Sequence, residues 1–294
     1  MTESPVAIIG LGLMGEVVAR RLLDASIPVS GFDIDPARRV RLAEIGGQPA
    51  HTIGELAKPA RCIVICVFST AQVEDVIENY LLPALGNDSN KIVLVMSTCD
   101  PDEVERLAAR VIPRGIRYLD VPVSGTSDQV RRGDGVALIG GDPAIAAEIA
   151  PVLDALFRRR FHVGKIGDGG RAKLAVNLIL GLNRLALAEG LVFAERLGLD
   201  PAAFLDVAKG SASYSQVMDT KGLKMVRGDF SPEGRIKQTL KDAHLMLNQA
   251  AAVGQTLSSL QVHADVLEAC ARAGESELDN SAIINEIRRR GVTS

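Results

Sequence analysis

The chain has 294 residues, 47% hydrophobic and 23% charged, with a formal net charge of -3. That is the balance of a globular chain of one large or two ordinary domains, without the basic field that nucleic-acid binding needs. Aromatic residues make up 3% and tryptophan is absent, which argues against base-stacking platforms and indole-lined sugar sites.

In chain order, short β-branched runs predict strands over 6–9, 29–33, 62–67, 92–96, 117–121 and 136–139. Helical patterns separate most of them, so a parallel sheet covered by helices on both faces is expected. Beyond about residue 165 strand patterns cease. A long apolar stretch over 172–197 reads as a helix with few charges on any face, the kind that lies in a core or a subunit interface. Further helices are predicted over 201–209, 214–226, 236–253, 257–273 and 281–290. The glycine-rich stretch 164–170 reads as the hinge between domains 1–165 and 166–294. Arg158–Arg160 and Arg288–Arg290 read as solvated charge runs.

The four cysteines form no CxxC pair and no cluster with histidine at zinc spacing, so they read as reduced and buried, and no metal is expected. The opening MTESPVAIIGLG has no basic stretch ahead of an apolar core and does not read as a signal peptide. No apolar run of membrane-spanning length without interruption by charge is found. The expectation is a cytoplasmic protein with neither membrane nor nucleic-acid partners.

The segment Gly10-Leu11-Gly12-Leu13-Met14-Gly15 follows a predicted strand and opens a predicted helix. In that context GxGxxG is a dinucleotide fingerprint. The first glycine permits a tight turn, the second lets backbone approach a pyrophosphate, and the third lets helix and strand pack closely. The helix N-terminus offers N–H groups to the phosphates. Asp33, 23 residues after Gly10 at the end of the second strand, is placed to accept the adenosine ribose hydroxyls and to repel a 2′-phosphate. NAD is therefore expected, with NADP as the alternative. Arg38 and Arg39 read as exposed helix arginines. The fold class is an α/β Rossmann domain, doubly wound with a mostly parallel sheet, followed by an all-α C-terminal domain.

Several separated segments resemble the β-hydroxyacid dehydrogenase family, which includes 3-hydroxyisobutyrate dehydrogenases and tartronate semialdehyde reductases. They are residues 8–15 with Met14, the stretch Ser97-Thr98-Cys99-Asp100-Pro101, and Asp120-Val121-Pro122-Val123-Ser124-Gly125. Two more are 167–177, which contains Lys173 and Asn177, and the pair Lys241-Asp242. The resemblance implies that Thr98 lies near the nicotinamide and that Ser124 and the backbone around Gly125 hold a substrate carboxylate. It also implies that Lys173 is the catalytic lysine and that Lys241 reaches the cofactor. Thr126, Val176 and Gly234 depart from the family pattern. Thr126 stands where a second glycine is usual and is expected to shrink the pocket or add a hydroxyl contact. Val176 replaces a first asparagine, and Gly234 replaces a common aromatic.

An ordinary lysine pKa near 10.4 is too high for a good base at neutral pH. The role of Lys173 therefore calls for burial or a neighbouring cation such as Lys241. Lys173 and Asn177 are four apart and share a helix face, so Asn177 is expected to orient the lysine or the substrate hydroxyl. His51, His162, His244 and His263 are far apart in sequence and read as structural. The expected reaction is hydride transfer between NAD(P) and a small β-hydroxy acid, in a homodimer or homotetramer. The rivals are a reductase of imines, disfavoured by Lys173, and a non-catalytic dinucleotide binder, which would need neither Lys173 nor Ser124.

Overall fold

The computed structural model describes residues 4–86 and 90–290. The first three residues of the N-terminal stretch examined for a leader lie outside them. Strands β1 (Val6–Ile9), β2 (Val29–Phe32), β3 (Gln48–Pro49), β4 (Cys62–Ile65) and β5 (Lys91–Val95) are followed by β6 (Ile116–Asp120), β7 (Val123–Ser124), β8 (Val136–Gly141) and β9 (Arg159–Gly164). Between them run α1 (Leu13–Asp24), α2 (Pro36–Glu44), α3 (Ile53–Ala57), α4 (Thr70–Asp75), α5 (Leu82–Leu85) and α6 (Pro101–Val111), then α7 (Ser127–Arg131), α8 (Pro143–Glu148) and α9 (Ala150–Leu156).

The sheet order is β3-β2-β1-β4-β5-β6-β8-β7, with β9 paired to β8. Strands β1 to β6 pair in parallel, whereas β8 runs antiparallel to β6 and β7. The chain builds outward from β1 to β3 and then from β4 to β6, so the order reverses between β1 and β4. In a doubly wound sheet the crevice at that reversal, beyond the carboxyl ends of the strands, receives the ligand.

The central strands VAII and CIVI are apolar without alternation because both faces are covered. Successive side chains point to opposite faces. Ile8, Val64 and Leu94 enter one core with Val18 and Leu22 of α1. Ile9, Ile63, Ile65 and Val95 enter the other with Leu107 of α6. The six predicted strands are all present. The two-residue β3 and β7 and the exposed β9 were not anticipated, and the run Arg158–Arg160 leads into β9 while remaining exposed to solvent.

The second half is helical: α10 (Asp168–Arg196), α11 (Pro201–Lys209), α12 (Leu223–Arg227), α13 (Ile236–Ala252), α14 (Ser258–Arg272) and α15 (Ile283–Arg289). A π-helical turn, Met218–Gly222, precedes α12 where one continuous helix over 214–226 was expected. Its core joins Leu185, Leu191, Leu205, Met225, Ile236, Leu260 and Ile284. The chain divides into two compact units, one ending at Lys173 and the other beginning at Leu174.

One expectation about the long helix needs correction. The helix starts at Asp168, inside the glycine-rich stretch read as a hinge, so Gly169 and Gly170 belong to its first turn. It is also buried on one side only, with Ile179 62% and Phe193 66% exposed. By length and composition α10 is long and apolar enough to cross a membrane, with 33% of its most apolar stretch buried. The expectation of no such span took charged residues within the run as interruptions.

Candidate functional site

The glycine loop is shaped as its sequence requires. Gly10 adopts φ +90°, and a Cβ there would lie 2.4 Å from the carbonyl oxygen of Cys66. A Cβ on Gly15 would lie 1.9 Å from the carbonyl oxygen of Gly10, so only glycine lets α1 approach β1 this closely. At Gly12 the space is open except for Arg38 Nη1 at 3.5 Å. Gly12 caps α1 with no side-chain hydrogen bond, which leaves the helix N-terminus to an external anion. The loop therefore fits a dinucleotide pyrophosphate.

Asp33 is 5% exposed at the end of β2. Its Oδ2 accepts the Leu11 N–H at 2.7 Å and its Oδ1 the Asp35 N–H at 2.9 Å. Arg38 and Arg39, expected as exposed, are half-buried against this residue. Arg38 Nη1 donates to Asp33 Oδ2 at 3.2 Å. Arg39 donates to the Asp33 carbonyl and lies over the Phe32 ring, 5.7 Å from its centroid. Both side chains turn back toward β2 because the buried carboxylate and carbonyl there offer acceptors that water would otherwise supply.

Beyond β4 and β5 the loops are tied together where Val67 N–H donates to Ser97 Oγ at 2.9 Å. Thr98 is half-buried in the second of these loops. Cys62 and Cys66 are free, with thiol pKa values pushed up to about 12 by burial, which makes them inert fillers.

The start of α10 is held from two sides. Asp120, at the end of β6 and 3% exposed, accepts the Gly167 N–H on Oδ1 at 3.1 Å and the Gly170 N–H on Oδ2 at 2.9 Å. A Cβ on Gly140 would lie 2.3 Å from one Asp120 oxygen and a Cβ on Gly169 2.6 Å from the other. These glycines exist to let the carboxylate reach the helix. Burial raises the Asp120 pKa, opposed by the two N–H donors. On the other side Arg171 donates to Asp102 at 2.6 Å and to Glu105 at 2.7 Å. The Arg171 contact holds Glu105 below the usual carboxylate range. Lys173, three residues after Gly170, is 7% exposed.

Ser124 lies in β7 opposite Val136 of β8, and Gly125 follows at φ +139°. Thr126 also begins a helix. It caps α7 in a reciprocal capping box: its Oγ1 accepts the Gln129 N–H, and the Thr126 N–H donates to Gln129 Oε1. The hydroxyl thus accepts at the helix terminus while its own proton is left to donate.

Asn177 stands one turn after Lys173 on α10. Its Nδ2 donates to Asp242 Oδ2 at 2.9 Å, and Lys241 Nζ lies 3.0 Å from Asp242 Oδ1. Asp242 therefore bridges Asn177 and Lys241. It was read only as part of the Lys-Asp pair, although an acid on an otherwise apolar helix face is itself a signal. Gly234 lies just before α13, and its N–H meets Asp279. Of the histidines, His51 is exposed, His162 bonds the Gly141 carbonyl, His244 pairs with Glu268, and His263 is fully buried.

Residues 5–164 match the family model described as the NAD binding domain of 6-phosphogluconate dehydrogenase. Residues 167–287 match the one described as the NAD-binding domain of NADP-dependent 3-hydroxyisobutyrate dehydrogenase. The chain is 31% identical to the 2-hydroxy-3-oxopropionate reductase of Escherichia coli, covering 96% of both chains. It is 29% identical to the L-threonate dehydrogenase of Cupriavidus necator, covering 95% of this chain and 94% of that one. A solved structure of 3-hydroxyisobutyrate dehydrogenase from Salmonella typhimurium superposes with a TM-score of 0.89 at 27% identity, covering 96% and 99%.

Proposed function

The chain belongs to the β-hydroxyacid dehydrogenase family, and we propose that Lys173 carries the proton in its NAD(P)-dependent conversion of a small hydroxy acid. The observation that carries this reading is a buried lysine on a helix whose first turn is fixed by Asp120. When bound, the nicotinamide supplies the hydride acceptor or donor. The chain's own residues bind, orient and move the proton. In the oxidation direction Lys173 takes the hydroxyl proton at Nζ, and in reduction it returns it. A proton transfer of this kind contributes about 10²–10⁴-fold in rate.

Asn177 is the positioning partner. With Nδ2 committed to Asp242, its Oδ1 is the atom that accepts from the Lys173 ammonium or the substrate hydroxyl. Ser124 Oγ and the backbone N–H groups around Gly125 bind the substrate carboxylate as neutral donors. Thr126 shapes that loop through its cap. Lys241, steered by Asp242, presents its charge to the cofactor and substrate. Gly10, Leu11, Gly12, Leu13, Met14 and Gly15 hold the pyrophosphate. Asp33 accepts the adenosine ribose hydroxyls, and Thr98 lies at the nicotinamide end.

The preferred cofactor is NAD. A buried carboxylate at the end of β2 repels a 2′-phosphate, and Arg38 is shared between Asp33 and Asp35. The substrate class is a three- or four-carbon β-hydroxy acid or its semialdehyde, such as 3-hydroxyisobutyrate, glycerate or threonate. The enzyme works in the cytoplasm as a homodimer or homotetramer, with α10 contributing its exposed apolar face. The test is a panel of such acids assayed with NAD and with NADP. Turnover of at least one acid supports the reading, and tight NAD binding with no turnover of any would favour a non-catalytic dinucleotide binder.

A further inference from the structure

We propose that Lys221 and Asp279, buried in the helical unit, are positioning residues that set the height and rotation of α13 and so the presentation of Lys241 and Asp242. The proposal rests on the role given to Lys241 above.

Asp279 is 0% exposed and Lys221 is 2% exposed. Lys221 Nζ donates to both Asp279 oxygens at 2.9 Å and to Glu233 Oε2 at 3.1 Å. The same carboxylate gathers backbone from two directions. Its Oδ2 accepts the Glu233 N–H at 2.9 Å and the Gly234 N–H at 3.2 Å. Its Oδ1 accepts the Ser281 N–H at 3.0 Å and the Ser281 hydroxyl at 2.8 Å.

The segment so gathered is the entry to α13, which has no side-chain cap of its own. Its first N–H groups are satisfied instead by the neighbouring strand-like segment. Ile236 N–H donates to the Leu278 carbonyl at 3.0 Å and Lys237 N–H to the Ser276 carbonyl at 3.1 Å. Asn280 closes the arrangement, its N–H on the Gly234 carbonyl at 2.7 Å and its Nδ2 on Thr239 Oγ1 at 3.1 Å. The Asp279 carboxylate, held by Lys221, thus anchors the residues just before the helix beside the backbone bonds by which the 276–281 segment clamps its first turn. Lys241 follows within two turns of that clamp. A slip of one residue would turn its side chain by about 100° and move it by about 1.5 Å along the axis. Misplacements of that size cost about 10²-fold in rate where geometry is critical.

The test uses the full-chain enzyme with Lys221→Met and Asp279→Asn combined. Both substitutions are near in size and together remove both buried charges, while Glu233 loses Lys221 but keeps Lys224 at 3.7 Å. The expected result is a folded enzyme whose kcat falls about 10–100-fold, with the kcat–pH profile displaced in the same direction as in Lys241→Ala. Lys221→Arg keeps the charge and restores part of the turnover. This variant also carries the test if the double variant does not fold. A lowered melting temperature with kcat, KM and pH profile all unchanged would overturn the proposal and leave a merely structural pair. Unchanged turnover in Lys241→Ala would instead refute the underlying reading of Lys241, a separately recognisable result.

Discussion

Asp120 Oδ2 accepts the backbone N–H of Gly170 at 2.9 Å, and this contact, beside the one to Gly167, joins β6 to the first turn of the helix that bears Lys173. Replacing Asp120 by Ala would leave the Gly167 and Gly170 N–H groups without an acceptor in a buried place. Each such group costs about 1–3 kcal/mol. The expected result is a fall in melting temperature of about 5 °C or more, with Asp120→Asn, which retains one acceptor, between the two. A melting temperature for Asp120→Ala equal to that of the wild type would remove Asp120 from this account.

Asp33 commits its oxygens to Leu11 and Asp35 N–H groups and to Arg38, and through Leu11 its carboxylate lies against the glycine loop. Calorimetry on the purified protein should show tighter binding of NAD than of NADP. In Asp33→Ala the affinity for NAD should fall about 10–100-fold, the worth of hydrogen bonds to a charged acceptor. NADP should be affected less, narrowing the preference. A wild-type protein that prefers NADP would contradict this assignment.

The contacts that matter most to the site are those the sequence does not display. Strands such as β1 and β4 were legible because a run buried on both faces is apolar at every position. Strand β9 was not, because an exposed edge carrying Arg159 and Arg160 has no apolar run. The glycines at 169 and 170 were read as a hinge on propensity alone. Their place in a helix follows from the Asp120 carboxylate, 50 residues away in sequence from Gly170. The Thr126–Gln129 capping box is a short-range pairing that the structure adds to the family reading of Thr126. Asp242 and Asp279 organise polar contacts over 65 and 58 residues of separation, and no periodicity encodes such pairings. The dinucleotide loop is the opposite case. Gly10 and Gly15 each answer a local steric demand, so at those two positions the motif and the geometry agree.

His263 offers a pH test confined to the helical unit. Its ring packs against α10 at Gly181, where an added Cβ would lie 2.7 Å from Cε1. Burial first, and the nearby Arg184 guanidinium second, hold its pKa down at about 4 from the ordinary 6.5. Between those values the unfolded chain binds a proton that the folded chain does not, so stability falls as the pH drops through that window. The loss attributable to this residue reaches up to about 3 kcal/mol at the acid end. Denaturant unfolding of wild type and His263→Gln from pH 7 to pH 4 should show a steeper decline for the wild type. Parallel curves would mean that the ring takes up its proton equally in the folded and unfolded chains.

Along α10, Ile179, Ala186 and Phe193 recur every seven residues and all three are exposed, which makes one apolar stripe on the helix. A second copy of the chain covering this stripe would remove it from water. Light scattering should then give a dimer or tetramer mass for the wild type and a lower mass for Ile179→Glu combined with Phe193→Glu. A wild-type mass equal to one chain would rule out the assembly.

The most direct test of the account is the turnover of Lys173→Ala on whichever hydroxy acid the wild type oxidises, with NAD affinity measured in the same preparation. In that variant kcat should fall about 10²–10⁴-fold with NAD binding retained, since the glycine loop and Asp33 are untouched. Turnover that survives the substitution, with cofactor bound as before, would contradict the role of Lys173 and move proton transfer to another group.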